Sequence, residues 1–453
     1  MKIRTLFHTP TTVCILTSAV FCAAQSGALR AGAAKVDISP TPDMFPIASQ
    51  QQYGSLHDPL FARALVLDNG SVKLALVSCD SIHLPFGDEL VKAVTDELKI
   101  PATQVIISAT HDHNSPAGAG GFGLKSNADK NPYFEILKKG VVESVRQANA
   151  SLQPARIGFG TGKAYINTNR DEKLGDGYHM GYNPDGPSDK TVAVLLLTKP
   201  TGEPIAIYAN YAVHSVVMFR THTKDGKVQV SGDLGGAAEI YIEDQFKGAV
   251  GMWTMAAAGD QNPLLMANYN QDAPDVFDEG PGGFAINDVL ARRVGEEIVR
   301  VTKNIQNTSN KAVLWGGATS VTCPGQKRAA PPTPGSAGAG WRAPAHVDMV
   351  DGDPVTIPLQ LFMINDIALT AVSGEVFTEI GEHVKRDSLF DRTFMVTMLT
   401  NGVGYIPTDK AYLLPSEKAI TNPIKPGCSE PSIVNAFVKM EKSYLPVWQA
   451  AQK

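Results

Sequence analysis

The sequence predicts a mixed α/β fold in which layered β-sheets are covered by helices. Two observations lead to it. Short apolar runs rich in β-branched residues alternate along the chain with longer segments of helical spacing. The 453 residues are 43% hydrophobic and only 19% charged, the balance of a globular chain and not of a disordered one. The formal net charge of −5 supplies no electrostatic footprint for nucleic acid, so none is expected as a partner.

Residues 1–24 read as a signal peptide. Lys2 and Arg4 form a basic start, and "VCILTSAVFCAA" is a short apolar core ending in small residues. The expected location is secreted or periplasmic. Residues 25–453 then form one domain, and no other stretch is apolar enough to span a membrane.

"HDPLFARALVLDNGSVKLALVSCDS" is two apolar strands around a tight Asn69-Gly70 turn. "FGDELVKAVTDELKI" has helical spacing and stops at Pro101. "QVIISAT" is a buried strand that delivers the chain to His111, and "PYFEILKKGVVESVRQANASL" an amphipathic helix. "TVAVLLLTKPTGEPIAIYANYAVH" is a strand pair ending at His214; "GGAAEIYIEDQF" and "DVLARRVGEEIVRVTKNI" are helices. Residues 323–355, rich in Pro, Gly and Ala, read as a long surface loop, followed by the strand pair "VTIPLQLFMINDIALTAVSGE". Cys79 reads as an inert core thiol. Cys323 and Cys428 both flank proline-rich loops and could pair. No internal repeat is apparent.

The common catalytic signatures are missing: no G-x-S-x-G, no H-E-x-x-H, no P-loop. "GAGGFG" at 118–123 has dinucleotide spacing, but no apolar helix follows it. What remains is "SATHDHNSP". If the strand persists, His111 and His113 point to one side and Asp112 to the other, and imidazole suits Zn²⁺. Taken alone, the pair is a weak signal and reads first as loop histidines. His214, Glu375 and Tyr405 end three further apolar runs, and Asp260 and Asn262 follow a fourth in "AAAGDQNP". Arg170 closes the polar segment "INTNR", where a solvated surface charge is the default. Residues with ligand chemistry at several strand ends are what a sheet-edge active site requires.

The segments "AGAAKVDISP", "HDPLFARALVLDNG", "SATHDHNSPAG", "INTNR", "NYAVH", "SGDLGGAAE", "AAGDQNP", "SGEVF", "GYIPTDKAY" and "NPIKPGCSE" resemble, in order, the neutral (alkaline, non-lysosomal) ceramidases. The resemblance implies a zinc hydrolase that cleaves an N-acyl amide, such as ceramide, into a fatty acid and a sphingoid base. It implies Zn²⁺ held by His111, His214, Glu375 and Tyr405, with His113 beside the metal as acid/base and Arg170 in the active site. Asp260 is expected to orient a ligand histidine. Asn262 stands where the family carries a serine, Ser416-Glu417 where it carries a Tyr-Glu pair, and the family's C-terminal β-sandwich is not seen. The expected partner is a small acyl amide or lipid, with transient contact to a membrane surface. Two alternatives stay open: the same scaffold acting on an ester, lactone or acylated sugar, and a non-catalytic lipid- or glycan-binding protein.

Overall fold

The computed structural model describes residues 26–452, apart from 49–50, 117–131, 175–176, 269–277, 330–346, 415–417 and 419–421. The signal segment, the 118–123 glycine run and Ser416-Glu417 lie outside the described residues.

The first unit is an antiparallel meander, β1 (Arg30–Asp37), β2 (Phe61–Asp68) and β3 (Lys73–Cys79). Helix α1 (Gly87–Leu98) then crosses over to β4 (Val105–Ala109), which lies parallel to β3, and α2 (Pro132–Ala150) follows. The expected turn between β2 and β3 is a four-residue loop. Asn69 Oδ1 accepts from the N–H of Ser71 and Val72, and Gly70 takes the φ of +87° that the reversal needs.

The second unit starts with β5 (Arg156–Lys163). The chain then leaves the sheet as β6 (Asn167–Leu174) and β7 (Gly177–Asn183) before returning as β8 (Thr191–Thr198) and β9 (Pro204–Tyr211). Helix α3 (Asp233–Gln245) crosses to the parallel strand β10 (Val250–Met255). A short strand, β11 (Gln261–Pro263), pairs with β6, and α4 (Phe284–Asn304) closes the unit.

The third unit is β12 (Leu314–Arg328), β13 (Met349–Ile364) and β14 (Ile367–Val372), again antiparallel. It continues through β15 (Glu375–Val376) and α5 (Thr378–Asp387) to β16 (Arg392–Val396), parallel to β14. Then come β17 (Tyr405–Ile406), which pairs in parallel with β15, and α6 (Ser429–Ala451).

The three main sheets thus share one strand order, β4-β3-β2-β1, β10-β9-β8-β5 and β16-β14-β13-β12. The topology repeats three times although the sequence carries no visible repeat. Alternation within each strand explains the assembly. Leu65, Leu74 and Ile106 of the first sheet meet Leu195, Tyr208 and Met252 of the second and Phe362, Leu369 and Phe394 of the third in one central cluster. The intervening residues face outward under helices. Ala64, Val77 and Ile107 lie under α1 and α2; Val194, Ile207 and Trp253 under α3 and α4; Leu361, Ala368 and Met395 under α5 and α6. Both faces of each sheet are buried, which is why the strands read as nearly continuous apolar runs.

One expectation is corrected here. Residues 323–328 and 349–355, read as parts of a long loop, extend β12 and β13 as one antiparallel ladder down to Arg328↔Met349. Only 330–346 fall outside the described residues. Low apolar content hid the ladder, because its outer end has little core to face. Cys323 and Cys428 form a disulfide that ties β12 to the start of α6, and Cys79 is a buried free thiol.

The disulfide closes a sequence separation of 105 residues. Cys428→Ser is expected to lower stability by about 2–4 kcal/mol in denaturant unfolding. Reductant should lower the wild type equally and leave the variant unmoved.

Candidate active site

All three units end their inner strands at the same side of the molecule, and the polar residues gather there. β4 ends at Ala109, and two residues later the chain turns sharply: His111 has φ +60°, the left-handed region that non-glycine residues rarely adopt. The strand geometry expected across His111 and His113 therefore does not persist. The two rings still converge, with Nε2 atoms 3.3 Å apart and centroids 4.7 Å apart. Asp112 is directed elsewhere, as expected, and accepts the Asn114 N–H at 2.7 Å.

His214 follows β9 and Glu375 opens β15. Glu375 Oε2 lies 3.0 Å from His214 Nε2 and 3.3 Å from His111 Nε2. His111, His214 and Glu375 are fully buried. The nitrogen atoms of His111, His113 and His214 all lie within 4.8 Å of one another, a cluster able to hold a metal ion.

Backbone carbonyls set the histidine tautomers. His111 Nδ1 lies 2.7 Å from Ile82 O, and His214 Nδ1 lies 2.9 Å from Gln261 O. A carbonyl only accepts, so each Nδ1 donates and each Nε2 is turned inward. Burial first, then Arg170 and His111, push His214 down to about 3. Burial with the neighbouring histidines holds His113 well below the ordinary imidazole value. Burial alone would raise Glu375, but the two histidines outweigh it and hold it well below the usual carboxylate range. The Nε2 atoms of His111 and His214 thus converge with a Glu375 oxygen in one buried cluster, a donor set suited to a cation. The separations of 3.0–3.3 Å between these donors are short enough for one metal ion to bridge them.

Arg170 is no surface charge. It lies in β6, almost fully buried, where the β6–β7 register shifts between Asn169 and Asp171, a bulge that re-aims the side chain. Its Nη1 donates to Asn262 Oδ1 at 3.2 Å, its Nη2 to Gly259 O at 2.5 Å, and Nη1 also lies 3.3 Å from His214 Nε2. Burial opposes the guanidinium charge, but Tyr405 and Glu375 outweigh it and raise its value. The Tyr405 ring lies 5.3 Å from the guanidinium carbon, and its phenol interacts with both Arg170 and Glu375. Burial raises the phenol above its ordinary value, with Arg170 pulling against it.

Asp260 is corrected. Its carboxylate accepts from Asn169 Nδ2 at 3.0 Å and from the Thr378 N–H at 2.9 Å, and not from a histidine. The carbonyl of Gln261 orients His214 instead. Asp260 joins β6 to the start of α5, and so fixes Arg170 against Glu375. Asn262 is the acceptor that holds Arg170. Two features carried no sequence signal: the carbonyls of Ile82 and Gln261, because backbone is invisible to residue type, and Phe219, whose ring packs edge-on to His113 at 5.1 Å.

The chain is similar to known proteins. The family described as neutral/alkaline non-lysosomal ceramidase, N-terminal, matches residues 32–276, just over half of the chain. Neutral ceramidase B of Dictyostelium discoideum is 28% identical over 257 residues, 52% of this chain and 34% of that protein. The neutral ceramidase of Pseudomonas aeruginosa is 25% identical over 241 residues, 48% of this chain and 33% of that one. The matched stretch spans about a third of the length of these relatives. The crystal structure of the Pseudomonas aeruginosa enzyme shares the fold, with a TM-score of 0.66 at 19% identity over 91% of this chain and 74% of that one. A ceramidase complexed with C2 gives 0.68, also at 19% identity, over 92% and 75%. Glu375 and Tyr405 lie beyond the family match; the third unit carries them.

Asp171, beside Arg170, has a carboxyl pushed up to about 6, by burial first and then by Asp260. Its folded value lies above its ordinary 3.8, so the folded state holds the proton more tightly. The resulting stabilisation is complete below about pH 4 and is lost as pH rises through 6. Asp171→Asn is expected to be more stable than wild type by about 1–2 kcal/mol at pH 7.5 and indistinguishable at pH 4, in thermal melts at both pH values.

Proposed function

The chain belongs to the neutral/alkaline non-lysosomal ceramidase family, and on that premise we propose that it is a secreted, zinc-dependent hydrolase of the N-acyl amide bond of ceramide-type lipids. The convergence of His111 Nε2 and His214 Nε2 on the Glu375 carboxylate carries the reading, since a cation bound among them would stabilise that buried cluster. His111, His214 and Glu375 would hold the ion, with Tyr405 or His113 completing the set. A bound Zn²⁺ would supply Lewis acidity and a water acidic enough to ionise near neutral pH.

The chain's own residues do the rest. Ile82 and Gln261 keep the ligand histidines in the binding tautomer. Arg170, pinned by Asn262 and Gly259, presents a fixed positive charge to the oxygen of a carbonyl under attack, where negative charge develops. The amine of a cleaved amide must leave protonated. His113 Nδ1 has no hydrogen-bond partner among the described residues, and neutral imidazole can relay that proton. Asn262 is engaged with Arg170 and is no nucleophile, so water is the attacking group. Water adds to the carbonyl carbon, the C–N bond breaks, and fatty acid and amine are released. The disulfide supports export, because such bonds persist in oxidising compartments, and the basic-apolar start of the chain supports it too.

Asn262 also favours a second reading, in which the scaffold accepts another acyl group such as an ester or lactone. Rates on ceramide, a short N-acyl amide and the matched ester decide between the two. Zinc bound without turnover of any of them would point to a binding protein.

Purified protein is expected to carry about one zinc per chain by elemental analysis. Chelation should abolish amide hydrolysis and added Zn²⁺ should restore it; full activity in demonstrably metal-free protein would falsify the zinc reading. His214→Ala should lose the metal. Separately, Arg170→Met is expected to lower kcat about 10²–10³-fold with zinc content intact. His113→Ala sorts the two roles of that residue: metal retained with kcat reduced marks proton transfer, and metal lost marks a ligand.

A further inference from the structure

A short arm of the first unit reaches across to the second. Its strand, Gln52–Leu56, pairs in parallel with Val228–Val230, and the His57 N–H donates to Val230 O at 2.8 Å. Gln51, just before this strand, lies beside His113. Its Nε2 donates to the His113 carbonyl at 3.1 Å, and its Oε1 accepts the Arg220 N–H at 2.9 Å. A carbonyl only accepts and an N–H only donates, so the amide has a single orientation and both its ends are used. Glutamate of the same length would offer acceptors alone, and methionine neither bond.

These two bonds join the backbones of segments whose side chains meet. Arg220 follows Phe219, whose ring packs edge-on to His113 at 5.1 Å. The Arg220 guanidinium lies over that same ring, 5.2 Å from its centre. Arg220 has φ +58°, a conformation that a non-glycine residue keeps when its surroundings fix it. Gln51 fixes its N–H, and Asn268 Nδ2 fixes its carbonyl at 2.7 Å.

His113 depends on its main chain for its place. Its Nδ1 has no hydrogen-bond partner among the described residues, so no bond at that end steers the ring. The His113 N–H donates to Ser215 O at 3.0 Å, which ties one side of the residue to the second unit. The arm holds the other side, the carbonyl. Buried Tyr53 also reaches it, at 3.2 Å, but a phenol has one hydrogen to give and the closer acceptor is Ser115 O at 2.9 Å. Gln51 is then the donor that His113 O keeps.

We propose that Gln51 is a positioning residue for His113: by clamping the His113 carbonyl to the Arg220 N–H, it holds the imidazole between His111 and Phe219. The proton-transfer role of His113 rests on the amidase reading above, and Gln51 acts only through it.

The test compares Gln51→Met, which removes both bonds, with Gln51→Glu, which removes the donor and keeps the acceptor. Each is expected to lower kcat about 10–100-fold with KM within about twofold. In a His113→Ala background, Gln51→Met should change kcat by less than about twofold, since the residue it positions is gone. An equal loss in both backgrounds marks a general structural role and overturns the proposal. So does wild-type kcat in either single variant. If His113→Ala loses the metal, His113 is a ligand, and Gln51→Met should instead weaken zinc at least about tenfold in competition with a chelator. Unaltered zinc affinity then overturns the clamp. The imidazole nitrogen resonances give a readout without turnover: in Gln51→Met those of His113 should shift, while those of His383 on α5 stay. If the wild type cleaves no amide, the amidase reading fails by itself. The His113 shift then still supports the clamp, and unmoved His113 resonances overturn it.

Discussion

The seam where three sheets meet organises this protein. Beyond its last residues each inner strand has no partner within its own sheet, and buried backbone groups must be paired. They pair across the units. The Ala109 N–H donates to Met398 O, the Thr397 N–H to Met255 O, and Asn210 Nδ2 to Met395 O. Ser78 Oγ donates to Trp253 O across the remaining junction. The seam fixes where each strand stops, and the residues just past it, His111, His214 and Glu375, have one place to go.

That placement accounts for the electrostatics. Buried carboxylates and imidazoles are costly when solitary, and each unit supplies one to the same small volume. The local devices differ. The first unit uses a left-handed residue, the second the Gln261 carbonyl, the third the short parallel pair β15–β17. Arg170 arrives by yet another route, on a strand that has left its main sheet. A buried ion-pair group beneath, Arg63 between Asp80 and Glu239, joins the first unit to α3. Removing one partner there would strand a charge in the core.

The same architecture accounts for how the second unit reaches the site. The excursion β6-β7 and the return through β11 give one small sheet two duties. Its inner end clamps the guanidinium with Asn262 and Gly259, and its flank carries apolar side chains outward.

The sequence by itself determined the α/β class and most strands and helices, and offered strand-end residues as candidates whose roles came from the family resemblance. It could do so because β-branched runs, helical spacing and strand-end histidines are local properties of residue type. It left the Cys323–Cys428 pairing open and read the outer ladder of β12 and β13 as loop, because an exposed ladder has no apolar pattern to betray it. Residue type alone gave Arg170 a default surface position, which only the family resemblance moved into the active site, and it gave Asp260 the wrong partner, because a bulge and a backbone carbonyl acceptor leave no trace in side-chain identity. Only the tertiary structure decided the threefold repetition of the topology, the backbone partners of the histidines and the convergence of their Nε2 atoms on Glu375. Those depend on contacts between residues 29 to 264 positions apart, and local pattern carries no information about such contacts.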